Sequence, residues 1–348
     1  MELTDILATA LTRGASDVIL TADTRPCLRI QGEIVRLELV ALTAQGVKAL
    51  VYSMLNESQV ARFERDKELD FSFTLKGENR FRANLLFQRG AVAAVFRLIP
   101  SIIPSLDELL LPPVVKEFAL APQGLVLVTG PTGHGKSTTQ AAMIDLINRT
   151  RRAHIITIED PIEFIHVNRE SVIEQREVGE DTHSFAAALK HVLREAPDVI
   201  LVGEMRDPES IACALSAAET GHLVIATVHT NDAVQALDRL LDSFPSQQQA
   251  QVRSQMSLSL LGVLAQRLLP RKGGAGRVPA VEVLRNTPAV AHMIRDVKTH
   301  QMYAILETHA RDGMKTMDGA LKDLYLRGEI EFEEARKRMR NPQLLERG

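Results

Sequence analysis

The chain has few of the residues that would point to several common protein classes. It contains two cysteines, Cys27 and Cys213, and no tryptophan, and only 4% of its residues are aromatic. Two distant cysteines cannot form a zinc site by themselves and do not suggest a disulfide framework. Scarce aromatic rings argue against a surface on which nucleic-acid bases stack. No apolar run approaches the ~20 residues of a membrane span.

The charge balance excludes a second group of functions. Lysine and arginine number 41 against 44 acidic residues, for a net charge of −3. No strongly basic block stands out, so we expect no nucleic-acid partner. The first residues also lack the basic region of a signal peptide, and we therefore expect a cytoplasmic protein.

At 348 residues the chain is longer than one ordinary domain. Residues 1–99 combine helical spacing with alternating strands and a turn at 77–79, which predicts an α+β unit. Four prolines in 100–113 predict a linker, because proline interrupts regular elements. Residues 114–285 are predicted to form an α/β domain, and 286–348 a helical region that includes a charged helix from Glu331 to Arg340.

Four segments of the α/β domain are almost wholly apolar, which is typical of strands covered on both faces in a mostly parallel sheet. The predicted strands are Leu125–Thr129, Ile155–Ile158, Val199–Val202 and Leu223–Ala226.

A glycine-rich segment follows the first of these strands and precedes a predicted helix from Thr139 to Ile147. Its order, glycine, four residues, then Gly-Lys-Ser, fits the phosphate-loop pattern. A strand, such a loop and a helix N-terminus together aim backbone N–H groups at one point, which favours bound phosphate. The segment comprises Gly130, Pro131, Thr132, Gly133, His134, Gly135, Lys136, Ser137 and Thr138.

This loop predicts a site for ATP with Mg²⁺. Lys136 would reach the β- and γ-phosphates, and Ser137 would bind the metal ion. A glycine-rich turn that binds nothing is the alternative interpretation, and the strand and helix on either side of the loop argue against it.

Acidic residues follow two other predicted strands, at the edge of a parallel sheet where ligands bind. Glu163 ends the segment 158–163 and is the leading candidate for activating water. Glu204 ends 198–204, which has the form of a Walker B strand, and would hold Mg²⁺ directly or through water. Glu204 is also a rival to Glu163 as the base. Arg206 could equally serve the site or a structural ion pair.

Two histidines bracket the last of these strands. His222 precedes it and His229 follows it. In a chain with a phosphate loop, an imidazole could report whether the γ-phosphate is present. Six residues of strand span ~20 Å, which is too far for the two rings to share one metal ion.

In this order the four motifs resemble those of the PilT/PilU-type pilus retraction ATPases of the secretion ATPase superfamily, over about residues 3–335. The matching segments are 130–138, 158–163, 198–204 and 219–229, together with 175–179, 217–222 and 313–318.

The resemblance implies a RecA-like ATPase domain preceded by a PAS-like domain, a hexameric ring, and ATP sites shared between neighbouring subunits. It makes Arg82 and Arg97 candidates for clamping the nucleotide, with Arg194 and Arg239 as weaker ones, because guanidinium groups fork onto phosphate oxygens. It also implies an inner-membrane pilus platform protein as a partner, a paralogous retraction ATPase as a further one, and a peripheral place at that membrane.

The chain departs from the family pattern at two places, the second of which leaves an accessory role open, and two further alternatives stand independently of them. His134 stands where a small hydroxyl residue is usual, and Ala289–Arg295 replaces the usual Ala-Ile-Arg signature. The alternatives are an accessory PilU-like retraction ATPase, a motor of a related secretion or DNA-uptake system, or a regulatory protein that binds ATP without appreciable turnover. A four-cysteine secretion motor is excluded by the cysteine count.

Overall fold

The computed structural model describes residues 2–30, 32–75, 79–99, 102–274 and 276–345. The chain divides into two compact units between Ile102 and Ile103. Most of the turn expected at 77–79 and the first two residues of the expected linker, Pro100 and Ser101, lie outside the described residues. Within those residues, no helix is long and apolar enough to cross a membrane.

The first unit is a six-stranded antiparallel sheet, in the order β3-β2-β1-β6-β5-β4, that packs against three helices. Its apolar face carries Phe81 and Phe96, both fully buried. The elements are α1 Leu3–Thr12, β1 Asp17–Leu20, β2 Cys27–Ile30, β3 Glu33–Arg36, α2 Ala44–Tyr52, α3 Glu57–Asp66, β4 Glu68–Leu75, β5 Asn79–Gln88 and β6 Ala91–Ile99.

The second unit is built on a seven-stranded sheet in the order β13-β12-β7-β11-β10-β8-β9. Every neighbouring pair is parallel except β12 and β13. The strands are β7 Gly124–Thr129, β8 His154–Glu159, β9 Val172–Glu177, β10 Val199–Val202, β11 Leu223–Thr227, β12 Leu260–Pro270 and β13 Arg277–Arg285.

Helices cover both faces of this sheet. They are α4 Val114–Ala119, α5 Lys136–Thr150, α6 Phe185–Val192, α7 Pro208–Glu219, α8 Ala233–Asp242, α9 Ser246–Ser259, α10 Pro288–Arg295, α11 Met302–Thr308, α12 Met317–Leu326 and α13 Phe332–Arg336, with short 3₁₀ turns at Thr299–Gln301, Ala310–Asp312 and Pro342–Leu345.

Two apolar cores lie on opposite faces of the central strands. Along β7, Leu125 and Leu127 enter one core, whereas Val126 and Val128 enter the other. Alternate residues therefore face different helices, which is why these strands are apolar throughout. The predicted fold class, a RecA-like α/β domain preceded by an α+β PAS-like unit, is confirmed.

Several element boundaries differ from the sequence-based predictions. Helix α5 begins at Lys136 rather than Thr139, since Gly135 has a left-handed conformation and serves as its N-cap. The charged helix predicted from Glu331 to Arg340 extends only over Phe332–Arg336. It ends early because the Asp318 carboxylate accepts hydrogen bonds from the backbone N–H groups of Arg340 and Asn341, which holds that segment in another course.

Candidate nucleotide-binding site

The parallel sheet brings four loops to one edge, because β7, β8, β10 and β11 all end there. The loop after β7 contains Gly130, Gly133 and Gly135, whose φ angles are +140°, +77° and +83°. These angles favour glycine. A Cβ atom on Gly130 would lie 2.3 Å from the Gln266 carbonyl oxygen, so β12 backs the loop at van der Waals distance. The loop leads into the N-terminus of α5, where backbone N–H groups favour an anion.

Lys136 lies beneath this loop and is only 7% exposed. Its Nζ atom donates hydrogen bonds to the carbonyl oxygens of Gly130 (2.8 Å) and Pro131 (3.1 Å) and lies 3.4 Å from His229 Nδ1. Burial lowers the pKa of Lys136, while the charges of Glu204 and Glu163 oppose that effect. The ammonium group is therefore surrounded by groups that favour its charged form.

Glu204 follows β10 and connects to the same lysine through a histidine. Its Oε1 atom is 2.5 Å from Arg206 Nε and 3.1 Å from His229 Nε2. Burial alone would raise the pKa of Glu204, but the hydrogen bond and the charge of Arg206, together with the contact to His229, hold it below its ordinary value. Arg206, Glu204, His229 and Lys136 thus form a continuous chain of polar contacts at the sheet edge. The structure therefore forms the Arg206 ion pair that the sequence left undecided.

Glu163 lies in the segment after β8 and is exposed. Its backbone N–H group donates to Glu159 Oε2 at 3.3 Å, which connects its position to a second carboxylate. The Glu159 carboxylate also accepts hydrogen bonds from Thr157 (2.7 Å) and Gln175 (3.2 Å). Burial nevertheless raises the pKa of Glu159 to about 7. Glu163 is thus the solvent-facing acid of the pair.

The two histidines lie at opposite edges of the sheet. His229 follows β11 and joins the chain that contains Glu204. His222 precedes β11, and its Nδ1 atom is 3.0 Å from the carbonyl oxygen of Ala217. Five residues of strand separate these edges by roughly 17 Å. The structure therefore brings His229, but not His222, to the phosphate loop of its own chain.

The candidate arginines Arg82 and Arg97 belong to the first unit, where they face each other directly on β5 and β6. Like charges in register disfavour strand pairing. Arg97 Nε pairs with the buried Asp17 at 2.8 Å, and Arg82 Nη2 lies 3.6 Å from Asp70. Each arginine therefore has an acidic neighbour that offsets the repulsion, and both guanidinium groups stay substantially exposed.

Two clefts in the second unit border the loop. One, of about 460 Å³, is lined by residues that include Thr132, Glu204, His229 and the weaker candidate Arg239. The other, of about 310 Å³, is lined by Gly135, Thr138, Thr139, Gln266, Arg271 and Arg277, among others. Among the described residues there is no group of three or more His, Cys, Asp and Glu side chains arranged to hold a metal ion. Magnesium sites do not need one, since Mg²⁺ is usually held by one or two protein oxygens together with substrate phosphates and water.

His134 has a contact that sequence reasoning missed. Its Nδ1 atom accepts a hydrogen bond of 3.0 Å from the backbone N–H of Leu268 in β12. Burial lowers the pKa of His134, and so do the charges of Arg267, Arg277 and Lys136. The neutral ring thereby fastens the loop to its neighbouring strand, and no spacing rule in the sequence relates two residues so far apart.

Comparisons with known proteins agree with this geometry. The family model described as type II/IV secretion system protein matches residues 2–336. The type IV pilus retraction ATPase PilT of Pseudomonas aeruginosa is 47% identical over 343 residues, which cover 99% of each chain. The type IV pilus ATPase PilU of the same organism is 42% identical over 335 residues, which cover 96% of this chain and 88% of that protein.

A solved structure resembles the whole chain. The crystal structure of the pilus retraction motor PilT with bound ADP superposes with a TM-score of 0.93 at 47% identity, and each chain is covered completely. The chain belongs to the type II/IV secretion system protein family. Within that family, the pilus ATPases PilT and PilU are among the proteins that it resembles over nearly its full length.

The Glu159 carboxyl predicts an unusual dependence of stability on pH. Its pKa is raised from 4.5 to about 7, so its contribution to stability is complete below pH 4.5 and is lost as the pH rises through 7. Burial of His166 acts in the opposite direction, because its pKa is lowered from 6.5 to about 4 and it costs stability as the pH falls below 6.5. Between pH 4.5 and 6.5 the two contributions to the free energy of unfolding change in opposite directions and offset each other.

Glu159→Gln should expose the His166 effect alone. We expect its free energy of unfolding to rise with pH up to 6.5, and to exceed that of the wild type above pH 7 by about 3 kcal/mol. Urea titrations from pH 5 to 8 measure both quantities, with Glu180→Gln as an exposed control. Parallel pH profiles for wild type and Glu159→Gln would contradict the assignment.

Proposed function

We propose that this chain is an ATP-hydrolysing motor that drives retraction of type IV pili. The observation that carries the proposal is the buried Lys136 beneath a loop of left-handed glycines, with contacts that lead through His229 to Glu204. Full-length similarity to PilT supports the pilus role, and the lower identity to PilU places the accessory role second. The altered signature at 289–295 is the observation that keeps that second candidate.

In the proposed site, Lys136 would exchange its present hydrogen-bond acceptors for phosphate oxygens of ATP. Phosphate oxygens would replace the carbonyl oxygens of Gly130 and Pro131 as acceptors, and backbone N–H groups of residues 132–138 would surround them. Ser137 and Glu204 would hold Mg²⁺, with Glu204 acting directly or through water. The ion supplies positive charge that neutralises the phosphate oxygens.

Glu163 is the proposed group that positions the attacking water. Its carboxylate is exposed toward solvent, whereas Glu204 is already committed to Arg206 and His229. His229 lies between Lys136 and Glu204, so it would respond when Lys136 exchanges partners. A role for His222 in nucleotide sensing remains a prediction. His222 would have to act from the opposite end of β11.

We further propose that six copies form a ring at the cytoplasmic face of the inner membrane. Arg82 and Arg97 would close over the phosphates from across a domain or subunit boundary, because their guanidinium groups are exposed and such groups can bind phosphate through two donors. A linker within residues 100–113 would let the two units move relative to each other. The partners proposed are a pilus platform protein and a paralogous retraction ATPase.

Lys136→Ala tests ATP hydrolysis itself. Loss of one preorganised charge at a phosphoryl-transfer site costs about 3 kcal/mol of barrier, so we expect phosphate release to fall at least 100-fold. Lys116→Ala, at an exposed lysine on α4, is the matched control and should hydrolyse ATP like the wild type. Wild-type turnover in Lys136→Ala would refute the site.

A pair of isosteric variants separates the two carboxylates. Glu163→Gln should bind ATP and Mg²⁺ normally but hydrolyse ATP slowly, since it lacks the group that positions water. Glu204→Gln should instead shift the Mg²⁺ concentration that gives half-maximal rate. Rates measured across a magnesium titration distinguish the two, and identical titration curves would count against this division of roles.

Shared sites can be tested by mixing inactive subunits. Lys136→Ala and Arg82→Ala rings, combined under conditions that allow subunits to exchange, should recover activity because about a quarter of the interfaces regain both groups. Lys136→Ala mixed with Ser137→Ala is the control, since both changes lie in one loop and cannot complement each other. If neither mixture recovers, Arg82 acts within its own subunit or has no part in hydrolysis.

A further inference from the structure

Thr129 is the last residue of β7, and its hydroxyl group is fully buried at the edge of the sheet. The Oγ1 atom accepts a hydrogen bond of 2.9 Å from the backbone N–H of Thr230. The same atom lies 3.1 Å from the carbonyl oxygen of Val228, and 3.0 and 2.9 Å from the carbonyl and hydroxyl oxygens of Thr230. One hydroxyl group thus contacts the segment 228–230 on both sides of His229.

These contacts hold most of the backbone that carries His229. Strand β11 ends at Thr227, and past it one further backbone hydrogen bond joins the segment to β7, from Val228 N–H to Val128 at 3.2 Å. The imidazole ring itself is 39% exposed, so packing restrains it weakly. Its two contacts, to Glu204 and Lys136, therefore depend on where the backbone places it.

The hydroxyl group also connects this segment to the phosphate loop, because Thr129 directly precedes Gly130. Displacement of either segment would strain the hydrogen bonds to the other. A second threonine makes the corresponding connection to Glu204, since Thr227 donates through its hydroxyl group to the carbonyl oxygen of Gly203. The hydrogen bonds of these two threonines thereby connect the carboxyl ends of β7, β11 and β10.

We infer that Thr129 is a positioning residue, whose hydroxyl group holds His229 between Lys136 and Glu204. The inference rests on the proposed hydrolysis of ATP at this site. Thr129 acts through His229 rather than on the nucleotide. Small errors in the placement of groups around a reacting centre cost large factors in rate, so loss of this single hydroxyl group slows turnover while nucleotide binding by the loop amides persists.

The test compares Thr129→Val, which keeps the shape but not the hydroxyl group, with Thr129→Ser, which keeps the hydroxyl group. We expect Thr129→Val to lower kcat about tenfold and to change KM less than about twofold, and Thr129→Ser to restore most of the rate. Ser259→Ala is the matched control, because it deletes another buried hydroxyl group, which donates to the Gln255 carbonyl oxygen at 2.8 Å far along the chain from this segment.

A double-mutant cycle with His229→Asn identifies the route of the effect. If Thr129 acts through His229, the valine change should add little to the loss already caused by His229→Asn. Full additivity, an equal loss in Thr129→Ser, or an unchanged kcat in Thr129→Val would each overturn the inference. Failure of the proposed function looks different, because the wild-type protein itself would then release no phosphate.

Discussion

A buried cation at the start of α5 is the constraint on which the rest of the site depends. Lys136 is almost wholly removed from solvent, and an isolated ammonium group in such a place would be costly. Loop carbonyl oxygens contact it directly, and His229 relays the influence of Glu204 from the next strand but one in the sheet. The left-handed glycines, the acid after β10 and the histidine after β11 therefore form one electrostatic arrangement.

Burial also controls the ionisable groups in and around the segment after β8. Glu159 and His166 are both driven toward their neutral forms by burial, one by a raised and the other by a lowered pKa. Glu163, between them in sequence, remains exposed. Burial thus keeps the Glu159 carboxyl away from solvent, whereas the Glu163 side chain is exposed to it. Such division by environment is how carboxylates of one type take different roles.

The sequence predicted the central strands and the loop well, because apolar runs and glycine spacing are local signals. It placed the start of α5 three residues late, since the polar run Lys136–Gln140 hides the first turn of a helix whose cap is a glycine. Strands β9, β12 and β13 were not predicted. Strand β9 is the outermost strand on one side of the sheet and is rich in polar residues. The contacts of Thr129 and His134 escaped altogether, because their partners are backbone groups about a hundred or more residues away along the chain. No local sequence signal shows which of His222 and His229 lies near the phosphate loop. The direction of β11 in the sheet decides it.

The way β12 supports the loop limits how related sequences can vary. At position 130 the neighbouring carbonyl group of Gln266 excludes even a methyl group. No residue other than glycine therefore fits there, whatever the rest of the loop contains. At position 134 the side chain instead meets a backbone N–H group, which any side chain with a well-placed acceptor could satisfy. A histidine can therefore stand at position 134 without any change at position 130. We therefore expect related chains to vary at position 134, where a substitution changes how the loop is attached to β12, and to keep glycine at position 130.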